Sequence, residues 1–292
     1  TPVEGIPEVF DYVRDIQPIL DKHCVRCHND ERRDGRVALT GDRGPIYSHS
    51  YYVLTALGQV TDGRDRLVSN LPPRAIGTSA SPLMDKLDAR HYEVQLSPHE
   101  RDMIRYWIES AAAYPGTYAA LGSGMIGGYP KSQLDTSDRQ WPSSIAAAEA
   151  IRRRCLGCHN KSMPVPQYLS DDLGLVLPNP DPQDVRMRWS RHLMFNLSRP
   201  ERSLILLAPL AQEAGGLGLC RPKGNRESPA LTSSNADLLT MPVSVFANTQ
   251  DADYQKILTL CREGKTHLDR IKRFDMPGFR PPAMYVREMQ RF

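Results

Sequence analysis

Cys24-Val25-Arg26-Cys27-His28, answered later in the chain by Cys155-Leu156-Gly157-Cys158-His159, decides how this sequence is read. Each pentapeptide is a complete C-x-x-C-H, the attachment signature of a c-type haem. Two thiols add across the two vinyl groups of one haem, so they must lie about one helical turn apart. The histidine that follows then sits under the iron and offers an imidazole nitrogen as axial ligand. A zinc knuckle would need a second Cys or His pair nearby, and a redox dithiol usually lacks the trailing histidine. Two complete motifs therefore imply two covalently bound haem c groups. They are carried by Cys24, Cys27 and His28, and by Cys155, Cys158 and His159.

Working outward, each motif closes a helix. Pro18 fits the first turn of a helix that brings Ile19, Leu20 and His23 towards Cys24. Ser143 or Ser144 is placed to cap a second helix, running through Ile145, Ala148 and Ile151 to Cys155. Ser97-Pro98-His99-Glu100 is a capping box, and Met103, Ile104, Trp107, Ile108 and Ala111 follow on one helical face. A matching closing helix spans about 251–273, with Tyr254, Ile257, Leu258, Cys261 and Leu268 inward. Ser81-Pro82 opens a short helix. Its counterpart at Ser198-Arg199-Pro200-Glu201 leads into an apolar helix over Leu204, Ile205, Leu207, Ala208 and Leu210, stopping at Gly215-Gly216.

The chain thus reads as two similar halves. The expected fold is mainly α, two cytochrome-c-like haem domains in tandem with long loops. The first domain is 1–116, a Gly- and Pro-rich linker occupies 117–142, and the second domain is 143–292. The 292 residues suit about two domains.

Composition narrows the class. The formal charge is +3, and the propionates of two haems would bring it close to neutral. Lys and Arg are dispersed among Asp and Glu, which gives no footprint for nucleic acid. No apolar run is long enough for a membrane span. The sequence opens at Thr1 without a leader, so it reads as a mature form or as a piece of something longer. Covalent haem attachment points to a periplasmic or equivalent extracytoplasmic compartment, where disulfides also persist. Cys220 and Cys261 are the two cysteines left over, and a bridge between them is the natural pairing. Two separate buried thiols are the alternative.

Asp15-Ile16-Gln17-Pro18-Ile19-Leu20 ahead of the first motif resembles the cytochrome c domains common in planctomycete proteins. Leu39-Thr40-Gly41-Asp42, Leu71-Pro72-Pro73-Arg74-Ala75-Ile76-Gly77, Glu93-Val94-Gln95-Leu96-Ser97, the stretch from Leu204 to Gly216, and Met276-Pro277-Gly278-Phe279-Arg280-Pro281 narrow the likeness. Together they resemble the C-terminal dihaem portion of the hydrazine synthase alpha subunit family, from about residue 8 to the end. In catalytic members, the resemblance implies, a tyrosine four residues after one C-x-x-C-H histidine holds the iron, and that histidine binds zinc. Arg32 and Met163 occupy these positions here. The departure favours ordinary histidine ligation at both haems. The family's propeller-like N-terminal region is absent from this chain.

The distal ligands complete the expectation. Related small cytochrome domains place a Met just before the Leu-Ser that opens the closing helix, and His91 stands there. His91 is therefore assigned across the first iron from His28, with Met84, His99 and His49 as rivals. For the second haem, His192 in Arg188-Trp189-Ser190-Arg191-His192 is favoured, with Met241 next and Met163, Met194 and His267 behind. Arg74, and the two arginines around Trp189, could pair with propionates.

Two functions follow as expectations. One is electron transfer, either as a carrier or as an electron-relay subunit of a larger redox complex, with redox proteins or other subunits as partners. The other, implied by the resemblance, is a haem catalytic domain acting on small nitrogen compounds.

Overall fold

Helices bring the two pentapeptides into place. The computed structural model describes residues 3–63, 70–116, 136–159, 163–175, 184–220 and 244–291. The chain is mainly helical, and the β pairing among these residues is two isolated bridges, Arg43 with Ser48 and Leu210 with Phe246. The Gly-rich part of the expected linker, and Met241, lie outside the described residues.

Helix α1, Gln17–His23, runs into Cys24 with Pro18 in its first turn, and a single π-helical stretch, Tyr12–Ile16, feeds it. Helix α2, His49–Ala56, starts at Ser48, whose hydroxyl accepts from the Tyr51 amide. Helix α3, Pro98–Glu109, starts in the expected capping box, with both reciprocal bonds present between Ser97 and Glu100. Its buried stripe is Met103, Ile104, Trp107 and Ile108, while Ala111 lies past its end with a positive φ of 67°.

In the second half, helix α4, Pro142–Arg154, ends at Cys155. It is not capped by Ser143 or Ser144. Trp141 takes the cap position, Pro142 is the first helical residue, and Ser143 instead donates to Glu263. The expected apolar helix over 204–216 is broken. Helix α5, Arg191–Met194, and helix α6, Leu204–Leu207, are single turns, and a 3-10 turn at Gln212–Ala214 follows. Pro209 explains the break, because it lacks an amide donor and its ring clashes with the preceding turn. Helix α7, Ala252–Ile271, matches the expected closing helix, and helix α8, Ala283–Met289, ends the described chain.

The described residues form two large hydrophobic cores. The first gathers Tyr12, Ile16, Leu20, Tyr51, Leu54, Ile104, Trp107 and Tyr114. The second gathers Ala147, Ile151, Leu169, Phe195, Leu206, Phe246, Ile257 and Leu260, where α4 and α7 pack along each other. Arg153 pairs with Asp253 and Arg154 with Asp251, so the basic end of α4 meets the acidic start of α7 beside Cys155.

The halves are joined by more than the chain between them. Phe274, Phe279 and Tyr285, from the end of the sequence, pack on the first core. Tyr114, at the edge of the expected linker, is buried there too, and its hydroxyl donates to Asp275. A small apolar cluster of Tyr52, Leu175 and Met187 lies between the halves. No helix among the described residues is long and apolar enough to cross a membrane.

Candidate functional site: two C-x-x-C-H motifs

The two pentapeptides share one backbone conformation. The first cysteine amide donates to the carbonyl four residues back at 2.8 Å in both, Cys24 to Leu20 and Cys155 to Ile151. The second cysteine amide donates to the first cysteine's carbonyl at 3.1 Å in both, and the histidine amide to the same carbonyl at 2.9 Å. The first cysteines have nearly equal dihedrals, φ −111° and ψ −40° at Cys24, φ −113° and ψ −39° at Cys155. A helix end that continues as a tight turn places both thiols and the histidine on one side, as a single haem requires.

The histidines are oriented alike. His28 Nδ1 lies 2.8 Å from the Asp34 carbonyl, and His159 Nδ1 lies 3.0 Å from the Met163 carbonyl. A carbonyl accepts only, so Nδ1 carries the proton and Nε2 is left as the ligating atom. Burial pushes the Cys24 and Cys155 thiols up to about 11. A redox C-x-x-C needs the opposite shift, towards the thiolate, so this environment disfavours that reading.

Across the first motif stands His91. The His28 and His91 ring centroids are 6.0 Å apart and their planes differ by 4°. Two imidazoles on one metal atom, each bonded at about 2 Å through a ring nitrogen, have centres about 6 Å apart. Burial, with His28 and Lys86 nearby, lowers the His91 pKa, which favours the neutral ring a metal needs. A cleft of about 500 Å³ is lined by residues that neighbour the motif and His91 in sequence, among them His23, Arg26, Ala89, Val94 and Gln95. That volume falls in the range of cofactor sites, roughly 300–1,000 Å³. The paired rings of His28 and His91, with Cys24 and Cys27 next to His28 in the chain, have the chemistry and spacing that would suit a haem. Three side chains able to hold a bare metal ion do not converge anywhere among the described residues. A haem asks less, because the porphyrin supplies four nitrogens of its own.

The rivals for the first distal position lie elsewhere. His49, expected in a loop, begins α2 and its Nε2 meets the Phe195 carbonyl at 3.0 Å. His23 Nε2 meets Glu100 at 3.1 Å, His99 is exposed, and Met84 packs on the first core. Arg74 is exposed, with φ of 64°.

The second motif is arranged differently on its far side. The ring beside His159 is Trp189, edge-on at 4.8 Å. The His192 ring instead meets Tyr47 at 5.4 Å and Tyr52 at 5.1 Å, both from the first half. His192 is buried, and neither of its ring nitrogens has a hydrogen-bond partner among the described residues. Such a group calls for an explanation, and metal ligation is one. Burial, with Arg191 and Arg273 close by, holds it neutral. Met194 belongs to the second core, Met163 is exposed, and His267 packs against Trp141.

The expected Cys220–Cys261 bridge is not formed. No two of the six cysteines are bridged to each other. Cys261 is fully buried in α7 and its sulfur accepts from the Ser203 hydroxyl at 3.4 Å. Cys220 lies in the neighbourhood of Cys155 and Cys158 instead. The break of the 204–216 helix sends the chain after Gly216 back over α6, with Leu219 donating to the Ala208 carbonyl.

Comparisons with protein families, curated proteins and solved structures found no match for the chain.

Proposed function

We propose that this chain is a dihaem c-type cytochrome that carries electrons, alone or as a relay subunit of a larger redox complex outside the cytoplasm. The observation that carries the reading is the parallel pair His28 and His91, at the spacing of two imidazoles on one iron. Bound haem would supply a one-electron iron couple.

The protein's own residues do the rest. Cys24 and Cys27, and Cys155 and Cys158, would hold the two groups as thioethers. The Asp34 and Met163 carbonyls fix the Nδ1 proton of His28 and His159, so each ring offers Nε2. His91 closes the far side of the first site and leaves no position for a substrate there. For the far side of the second site the proposal is His192, whose ring nitrogens have no partner among the described residues and whose ring packs on Tyr47 and Tyr52 and not on His159.

The likeness to the hydrazine synthase alpha subunit family bears on the alternative, haem catalysis on small nitrogen compounds. Where that likeness implies an iron-bound tyrosine, this chain has Arg32 after the first motif and Met163 after the second, and Met163 offers its carbonyl to His159. That supports histidine ligation and electron transfer. Electron paramagnetic resonance of the oxidised holoprotein tests the reading. Low-spin ferric signals alone are the expected outcome. A high-spin ferric signal belonging to the first haem would overturn it.

A further inference from the structure

The loop that follows His28 is short, strained and held from the other half of the molecule. His28 Nδ1 depends on the Asp34 carbonyl. Around that carbonyl the backbone is left-handed at Arg33, Gly35 and Arg36, with φ of 47°, 64° and 63°. Two of these are not glycine, so the conformation persists only where surrounding contacts impose it.

Beside the loop's own bonds, such as the Asp34 amide to the Cys27 carbonyl and the Leu39 amide to the His28 carbonyl, a restraint comes from the other half: Arg199, between α5 and α6. Its Nη2 donates to Asp30 at 2.5 Å, two residues after His28. The same guanidinium reaches Asp42, through Nε at 3.0 Å and Nη2 at 2.5 Å. Asp30 and Asp42 are themselves largely buried. Asn196 fixes the arrangement: its side-chain Nδ2 donates to Asp42 at 2.6 Å, and its side-chain Oδ1 accepts from the Arg199 backbone amide at 2.7 Å. A planar fork with several fixed donors suits two carboxylates at once, and a lysine does not replace it.

We infer that Arg199 is a positioning residue of the first haem, contributed by the half of the chain that carries the second. The inference rests on the dihaem reading. Arg199 sets the loop that orients His28 and places a fixed positive charge beside the first site. Its effect is specific to one haem. Loss of the charge leaves two carboxylates that stabilise ferric over ferrous iron.

The test is a redox titration and an electron paramagnetic resonance spectrum of the holoprotein with Arg199→Gln, Arg199→Lys and, as control, Arg202→Gln. Arg202 lies three residues further along the chain, lines the same surface hollow as Arg199 together with Arg262 and Lys265, and approaches exposed Glu31 at 3.9 Å. The signal lost in His91→Ala identifies the first haem. Arg199→Gln should lower the midpoint of the first haem, leave the second in place, and shift the first haem's g-values. Arg199→Lys should restore the midpoint but not the g-values. Arg202→Gln should change neither. If Arg199→Gln leaves the first haem unmoved, moves both haems equally, or is matched by Arg202→Gln, the inference falls. If Arg199→Gln does not accumulate, unchanged g-values in Arg199→Lys overturn it. A protein with no haem attached would instead refute the dihaem reading itself.

Discussion

Replacing Asp275 by Asn should cost this protein several kcal/mol, because the site is a buried charge pair with no slack. Arg273 and Asp275 face each other through two bonds, Nε to Oδ1 at 2.7 Å and Nη2 to Oδ2 at 2.8 Å. Their side chains are 0% and 1% exposed. Arg273 also donates to the Gly44 carbonyl at 2.8 Å, and Tyr114 donates to Asp275 at 2.6 Å. The Tyr114 hydroxyl in turn accepts from the Ser48 amide at 3.0 Å. One pair therefore joins the end of α7 to the loop before α2 and to the end of the first core. In Asp275→Asn the guanidinium stays buried without its counter-charge, and an amide NH₂ faces N–H donors. Breaking a buried pair from one side costs about 3–5 kcal/mol. At about 2–4 °C per kcal/mol for chains somewhat shorter than this one, the melting temperature should fall by roughly 6–20 °C.

Acid should bring the two proteins closer together in stability. Burial raises the Asp275 pKa, but the Arg273 charge and the bonds from Arg273 and Tyr114 outweigh it, and the carboxyl ends below its usual 3.8. A group depressed in the folded state stabilises above its unfolded pKa, and that stability is lost as pH falls through the folded value. The wild-type advantage should thus be full near pH 7 and shrink below about pH 4. Urea unfolding followed by circular dichroism at several pH values is the assay. A loss below about 1 kcal/mol at pH 7, the range of an exposed pair, would refute the reasoning.

Three further outcomes are expected. His91→Ala should give one high-spin haem that takes up carbon monoxide, and His91→Met should raise the potential of one haem only, since Met ligation does so. His192→Ala should convert the other haem to high spin; two unchanged low-spin signals would remove His192 from the iron. In the denatured, unreduced protein a maleimide should label both Cys220 and Cys261, whereas the native protein should protect Cys261, whose thiol burial pushes up to about 12. Labelling of neither cysteine after unfolding would show the bridge that the structure lacks.

The parts of this molecule legible in the sequence are those whose chemistry is contiguous. Each C-x-x-C-H motif is five residues long, and its turn conformation follows from its neighbours. The α3 start is a local hydrogen-bond pattern, and α7 carries a clear apolar stripe. Helix α2 was not legible, because it is buried on nearly every side: His49, Ser50, Tyr51, Tyr52, Val53 and Leu54 are all inside. A helix with no wet face has no periodic pattern to read. The 204–216 stretch showed its apolar content but not its break at Pro209. The contacts of Tyr114 with Asp275 and of Arg199 with Asp30 join positions more than 150 apart, and no local signal announces such a pairing. The Cys220–Cys261 bridge was inferred by elimination alone, and the fold placed the two thiols in different surroundings.

The mass of the intact protein, purified from a host able to attach haem and measured after denaturation, tests the central claim most directly. Covalent attachment survives unfolding, so the dihaem account predicts the 32.8 kDa chain plus two haems. It further predicts the chain plus one haem in the double variant Cys155→Ala, Cys158→Ala. The mass of the bare chain, or of one haem in the unaltered protein, would contradict it.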